Sequence, residues 1–160
     1  MKKMRKNGGF SLIELLVVMG IIAVLSSIVT PKFRGYTAKG KETKALAVLE
    51  SLRTASELYF LEEGKSFVTA GPDGYGEITK EQLEKLEDYL SNNMKTLIKE
   101  DDSVAVEIGG SRTEAEGEIT YGGEIGFTTK GTGEDGVKIW FAPDNTIGEY
   151  NLNGDKWIDL

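Results

Sequence analysis

The feature that most constrains this chain is an almost uncharged run of twenty residues near its N-terminus, from Phe10 to Val29. Glu14 is the one charged residue within it. As an α-helix, twenty residues extend about 30 Å, which matches the hydrocarbon core of a bilayer. The run is apolar on every side, so such a helix needs lipid or other apolar helices around it. The sequence therefore predicts a helix that spans a membrane or packs among copies of itself.

Composition removes most kinds of catalytic site. The chain has 160 residues, enough for one domain of ordinary size, and contains neither His nor Cys. It cannot form a Ser-His or Cys-His nucleophile, a disulfide or a thiolate zinc site. We therefore expect no enzymatic activity, no cofactor and no metal site.

Charge is divided unevenly along the chain. Four basic residues and no acid precede residue 10, whereas residues 45–160 carry 10 basic and 24 acidic side chains. Between them lies a basic segment, residues 32–44. It contains Lys32, Arg34, Lys39, Lys41 and Lys44, with Glu42 as its only acid. An acidic surface repels phosphates, so we expect no general binding of nucleic acid.

The order of signals at the N-terminus is unusual for a secretory signal. Small residues stand before the apolar run, at Gly8 and Gly9, and not after it, where a usual cleavage site lies. A cut after Gly9 would remove only the basic leader, residues 1–9. The apolar helix would then remain on the mature protein.

Residues 8–33 closely resemble the N-terminus of type IV pilins and the related pseudopilins: a glycine before the cut, Phe10 after it, Glu14 four residues on, and Pro31 near the end of the apolar run. The resemblance implies that a prepilin peptidase cuts between Gly9 and Phe10 and that the new amine of Phe10 is methylated. It also implies a helical filament of identical subunits, built by an assembly platform protein and its ATPase.

The resemblance implies a location as well. The precursor would be a single-pass protein of the cytoplasmic or inner membrane, in contact with lipid, and the product an extracellular filament. Both flanks of the apolar run are basic, so the positive-inside count does not decide the orientation. The processing motif decides the orientation, and it predicts that residues 1–9 lie in the cytoplasm.

Glu14 needs a partner, because a carboxylate costs about 2.5–3.5 kcal/mol near the centre of a bilayer on insertion scales. The resemblance implies that this partner is the amine of Phe10 on a neighbouring subunit, which sets the axial register. Two alternatives remain. Phe10 and Glu14 are four residues apart on one helix and can pair within the chain, and Glu14 also lies close enough to the membrane surface to reach headgroups.

Gly20 and Pro31 are the two positions where we expect the helix to be disturbed. Pro31 has no amide to bond the carbonyl of Ser27 and predicts a kink. The resemblance implies that the stretch between Gly20 and Pro31 can lose helical hydrogen bonds in the filament. The alternative is a simple bend at Pro31, with close helix packing at Gly20.

The rest of the chain predicts an α+β fold. One long helix is expected from about Ser11 to Leu61, membrane-spanning over residues 10–31 and amphipathic over residues 32–61. Its predicted apolar stripe is Ala45, Val48, Leu49, Leu52, Ala55 and Tyr59. A connecting region, residues 62–102, contains a glycine-rich loop at 71–76.

A second helix is predicted over residues 79–98 of that region. Thr79 begins it and Gln82 occupies the capping-box position. Its predicted apolar face is Leu83, Leu86, Leu90, Met94 and Leu97.

Residues 103–160 show short alternating runs separated by glycines, which predict an antiparallel meander whose one face covers the long helix. The predicted strands are 104–108, 118–121, 124–129, 137–141, 146–152 and 156–160. Two apparent binding motifs occur here. Gly131, Gly133 and Gly136 have dinucleotide-loop spacing, but a strand pattern follows where that site requires a helix, so we interpret them as a hairpin loop.

The second apparent motif is a partial calcium loop around Glu149, Asn151, Asn153 and Gly154. Glu149 replaces its first Asp, and Leu160 stands where the bidentate Glu belongs. We interpret Asn153-Gly154 as a tight turn.

The leading interpretation is therefore a structural subunit of a type IV pilus, serving adhesion, motility or a related filament activity. The alternative is a pseudopilin of a type II secretion or DNA-uptake system, and a remote one is a membrane-anchored extracytoplasmic enzyme or binding domain. We also expect the basic segment to lie near the acidic surface of neighbouring subunits and to add salt-sensitive cohesion.

Overall fold

A computed structural model describes residues 10–70, 76–96, 98–100, 104–130 and 136–160. Several sequence predictions fall outside the described residues: the leader with Gly8 and Gly9, the loop positions 71–75, Leu97, Gly131 and Gly133. The chain divides into two compact units, residues 1–36 and residues 37–160. Each unit is described by itself.

The described part of the first unit is the beginning of helix α1, which runs Leu12–Glu63. The helix continues without interruption through Gly20 and Pro31. The Thr30 hydroxyl donates to the carbonyl of Ser26 at 2.7 Å, a bond that often accompanies helix bending. In the single chain the helix is therefore continuous over this stretch, and only the bond that Pro31 cannot donate to Ser27 is absent. For the assembled state, loss of helical hydrogen bonds between Gly20 and Pro31 stays a prediction.

The second unit is built on the amphipathic part of α1. The predicted stripe is confirmed, because its members from Ala45 to Ala55 are buried and Tyr59 is half-buried. They pack in one core with apolar residues of the sheet and of the connecting region, among them Phe67, Leu86 and Phe127. The fold is α+β, as predicted.

The sheet is antiparallel throughout. Its strands are β1 Ile98–Glu100, β2 Val104–Glu107, β3 Gly110–Ser111, β4 Thr120–Tyr121, β5 Glu124–Thr128 and β6 Trp140–Ala142. Four of them form one sheet in the order β1-β2-β5-β6, and β3 pairs with β4 as a separate hairpin between β2 and β5. β5 and β6 are antiparallel neighbours, and no helix begins directly after Gly136 in the described residues.

The helix predicted over 79–98 is present only as short segments: α2 Lys80–Glu84, a 3₁₀ turn Glu87–Tyr89, and α3 Asn92–Lys95. The predicted capping box at Thr79 and Gln82 is confirmed. The prediction of one continuous helix is wrong because Leu90 takes an extended conformation and is buried in the core.

The end of that predicted helix is also different, since Ile98 begins strand β1 and pairs with Val106 of β2. Long-range pairing with β2 decides this conformation. The local helical spacing of apolar residues could not reveal it.

The two last predicted strands, 146–152 and 156–160, are not strands. Tyr150 forms isolated bridges with Arg112 and Lys156, and Trp157–Asp159 is a 3₁₀ turn. The physical reason is the Trp157 ring, which is fully buried and packs edge-on against Phe141 at 5.3 Å between ring centroids. The chain forms this turn where the ring enters the core.

The tight turn predicted at Asn153-Gly154 is confirmed. The Gly154 amide donates to the Asn151 carbonyl at 3.2 Å, and Gly154 has a positive φ of 91°. The Asn151 side-chain oxygen also accepts from the amides of Asn153 and Asp155, at 2.8 and 2.9 Å. Its lone pairs therefore stabilise the turn itself.

Candidate functional site

The N-terminus of α1 is capped by reciprocal hydrogen bonds between side chains and backbone amides. The Ser11 amide donates to Oε2 of Glu14 at 2.8 Å, while the Ser11 hydroxyl accepts from the amides of Ile13 and Glu14, at 3.2 and 3.4 Å. This arrangement is a capping box, in which Ser and Glu three residues apart satisfy backbone donors that a helix leaves free. The sequence interpretation missed this role, although the Ser-x-x-Glu spacing signals it.

The surface of the first unit is apolar and exposed. Every large apolar side chain from Phe10 to Val29 is exposed in the single chain, with Phe10 at 87% and Ile13 at 70%. Within the described part of the chain, α1 is the one helix long and apolar enough to cross a membrane, by length and composition alone. At Gly20, no atom lies within 4 Å of the point that a Cβ would occupy, so a neighbouring helix can approach its backbone.

The basic segment presents most of its cations to solvent. Lys32, Arg34, Lys39 and Lys44 are exposed. Lys41 differs, because its ammonium lies 3.2 Å from a carboxylate oxygen of Glu107 on β2.

Glu42 does not contribute to this surface, since its side chain is buried, with 5% of its area exposed. Oε2 of Glu42 accepts from the Leu152 amide at 3.3 Å, and Oε1 accepts from Nδ2 of Asn153 at 3.5 Å. Loss of water raises the pKa of Glu42 above 4.5, and the charge of Asp155 adds to that increase. The Leu152 hydrogen bond and the charge of Lys39 oppose it.

A second charged residue of α1 holds the end of the same segment. Nε of Arg53 donates to the Ile139 carbonyl at 2.8 Å, and Nη2 donates to the Leu160 carbonyl at 2.6 Å. Its Nη1 pairs with Glu50 at 2.8 Å. Glu42 and Arg53 thus fix residues 152–160 to the helix at two points in a chain that has no cysteine.

A further feature of the second unit is an open groove of about 570 Å³. Its charged lining is Glu77, Lys130, Asp144, Glu149 and Lys156. Two of these charges are close to each other, since Lys156 lies 3.9 Å from Glu149. Among the residues that the structure describes, no group of three metal-ligating side chains occurs.

An exposed apolar helix segment of this length requires lipid or other protein around it. The particular family is indicated by the residues that open the helix. Residues 4–30 match the family described as the prokaryotic N-terminal methylation motif.

Known proteins with similar sequences agree with this class. A fimbrial protein of Pseudomonas aeruginosa is 40% identical over 67 residues, which is 42% of this chain and 43% of that protein. The prepilin peptidase-dependent protein D of Escherichia coli K12 is 49% identical over 61 residues, or 38% of this chain and 42% of that protein. The type II secretion system core protein G of Vibrio cholerae is 40% identical over 62 residues, or 39% and 42%.

The match therefore spans less than half of the length of these relatives. No solved structure matches the chain. The resemblance to type IV pilins and pseudopilins is confirmed by the motif and by these relatives.

Proposed function

We propose that this chain is a structural subunit of a type IV pilus, made as a membrane precursor, cleaved after Gly9 and assembled into a helical surface filament. The observation that carries the proposal is the exposed apolar part of α1, which lies within the match to the methylation motif. Burying apolar area contributes about 25 cal/mol per Å². When these helices pack together in a filament core, their apolar surface is buried away from both water and lipid.

Cleavage changes what Glu14 can bind. In the uncut chain the nitrogen of Phe10 is a neutral amide, and the Glu14 carboxylate caps its own helix through Ser11. After a cut between Gly9 and Phe10, the nitrogen of Phe10 becomes an amine. The protonated amine, with or without a methyl group, attracts a carboxylate strongly in an apolar core, because the dielectric there is low. The amine of a neighbouring subunit would then fix the axial register.

The proposed partners follow from this sequence of events. A prepilin peptidase removes residues 1–9, and an assembly platform with its ATPase moves the subunit from the membrane into the filament. Before assembly, lipid covers the apolar part of α1. The precursor then has its leader in the cytoplasm and its second unit, residues 37–160, outside, and the final location is an extracellular filament.

Replacing Gly9 by Val tests the processing step, because a branched side chain at the cut obstructs close approach of the protease to the backbone. We expect the full-length precursor to accumulate in membranes and sheared filaments to disappear. Mass spectrometry of the subunit reads cleavage and methylation of Phe10 together. Gly35→Val provides a control for added bulk, since nothing lies within 4 Å of its side-chain position. Normal processing of the Gly9 variant would refute the proposal.

The alternative is a pseudopilin of a type II secretion system, and the match to core protein G of Vibrio cholerae favours it. Electron microscopy of sheared material separates the two. Long surface filaments composed of this chain support the pilus, whereas processed subunit that stays with the envelope, together with a secretion defect on deletion, supports the pseudopilin.

A further inference from the structure

Among the described residues, two sets of exposed charges of opposite sign have no ion-pair partner within the chain. The first is Lys39 and Lys44 of the basic segment, which lie five residues apart and about 140° apart around α1. The second is the acidic loop, residues 112–119 between β3 and β4, which carries Glu114, Glu116 and Glu118. All three carboxylates are exposed, and none has an ion-pair partner among the described residues.

Several other acidic residues of the second unit are already paired. The pairs are Glu50 with Arg53, Glu63 with Lys65, Glu87 with Lys95, Glu107 with Lys41 and Glu149 with Lys156. On α2 the acidic residues alternate with Lys80 and Lys85. The acidic loop differs because its only cation, Arg112, is directed to backbone carbonyls.

The backbone of the acidic loop is held in place. Nη1 of Arg112 donates to the Gly117 carbonyl at 2.9 Å, and Nη2 donates to the Leu152 carbonyl at 3.0 Å. The Gly117 amide closes a turn on the Glu114 carbonyl at 2.9 Å. The loop therefore presents three carboxylates from a fixed backbone, which lowers the entropy cost of binding a partner.

We infer that the acidic loop of one subunit binds Lys39 and Lys44 of a neighbouring subunit. The inference rests on the proposed filament function. The chain carries a net charge of -7, so identical copies repel one another unless opposite charges meet at their contact. A contact between two different surfaces of identical subunits is heterologous, and a repeated heterologous contact that does not close generates a helical filament.

Because the chain has no cysteine, the contact can be tested by disulfide cross-linking in cells that make filaments. Two copies of different size are co-expressed, one with Lys39→Cys and the other with Glu116→Cys, and are oxidised with copper phenanthroline. We expect a mixed dimer on a non-reducing gel. The matched control pairs Lys39→Cys with Glu84→Cys, an exposed carboxylate of α2, and we expect no mixed dimer from it.

Assembly is monitored separately by the yield of sheared filaments in electron microscopy. If filaments form and the Lys39–Glu116 pair gives no more mixed dimer than its control, the inference is wrong and the filament function stands. If the wild-type chain forms no filament, the proposed function and the inference are both overturned.

Charge exchange gives a second, independent measurement. Replacing Glu114, Glu116 and Glu118 by Lys is expected to reduce the yield of sheared filaments, and adding Lys39→Glu and Lys44→Glu is expected to restore it. The control with the same charge change replaces Glu81, Glu84 and Asp88 by Lys. Wild-type filaments should also loosen between 0.1 and 1 M salt, where the Debye length falls from about 10 Å to about 3 Å.

An anionic membrane surface is the other surface that the lysines could bind. In that case Lys39→Glu with Lys44→Glu would lower filament yield whatever the charge of the acidic loop. Reversal of the acidic loop would then leave filament yield unchanged. That combination of results would overturn the inference.

Discussion

The Glu42 carboxylate accepts a hydrogen bond from the Leu152 amide at 3.3 Å, across 110 residues of sequence. It is a buried acid on the face of α1 that carries the core, and it binds the turn in which the last part of the chain reverses. Glu42 and Arg53 hold the last part of the chain to α1 by polar contacts. No disulfide can do so, because the chain has no cysteine.

The first prediction concerns the pH dependence of this contact. Burial raises the pKa of Glu42 above 4.5, so the folded chain binds its proton more tightly than the unfolded chain does. The stability gained from that proton is fully present below pH 4.5 and is lost as the pH rises through the folded pKa. We expect wild type to gain stability relative to Glu42→Gln as the pH falls from 7 towards 4.5, in urea unfolding of the detergent-solubilised chain.

Glu42→Ala is the companion variant. It leaves the buried Leu152 amide without an acceptor and is expected to cost about 1–3 kcal/mol, with a cost that grows as the pH falls towards 4.5. A difference between wild type and Glu42→Gln that does not change with pH would contradict the assignment of this dependence to Glu42.

The second prediction concerns Arg53. Its guanidinium bonds two carbonyls in different directions, at Ile139 and Leu160, which a single ammonium cannot reproduce. We expect Arg53→Lys to lower the free energy of unfolding by about 1.5–3 kcal/mol. Glu50→Gln removes only the exposed ion pair of the same guanidinium, and we expect a cost of about 0–1 kcal/mol. Equal effects of the two substitutions would show that the carbonyl contacts contribute little.

The third prediction concerns the close approach of Gly109 to α1. A Cβ at this position would overlap the Ala38 carbonyl, so either the loop or the helix has to move. We expect Gly109→Ala to destabilise the second unit by about 1–3 kcal/mol. Gly40→Ala on the exposed side of the same helix meets no atom within 4 Å and is expected to stabilise by about 0.5–1 kcal/mol. Thermal unfolding compares the two, and a neutral Gly109→Ala would argue against this packing.

The fourth prediction separates the two roles of Glu14. Gln is also a good capping-box residue, so Glu14→Gln keeps the bond to the Ser11 amide but loses the charge that attracts an amine. We expect both Glu14→Gln and Glu14→Ala to be inserted and cleaved, and both to assemble poorly. Electron microscopy of sheared filaments and mass spectrometry of the subunit provide the measurements. Abundant filaments from Glu14→Gln, with few from Glu14→Ala, would show that capping is the role that matters.

Local patterns in the sequence determined the parts of this protein in which neighbouring residues decide the conformation. The long helix ends within two residues of the prediction, because apolar residues at helical spacing continue from Leu12 to Tyr59. Strand β5 was equally predictable from its alternation. The class of the N-terminal segment followed from an unbroken apolar run and from the position of its glycines.

Tertiary structure decided what depends on distant residues. The segment 79–98 is divided because burial of Leu90 and pairing of Ile98 with Val106 override helical spacing. Residues 156–160 form a 3₁₀ turn and not a strand, and the Trp157 ring packs in the core against Phe141. In the sequence, Glu42 is one acid within a basic segment. Only the folded structure shows that it binds the Leu152 amide. A buried carboxylate needs hydrogen-bond donors to replace water, and here the donors lie far away in the chain.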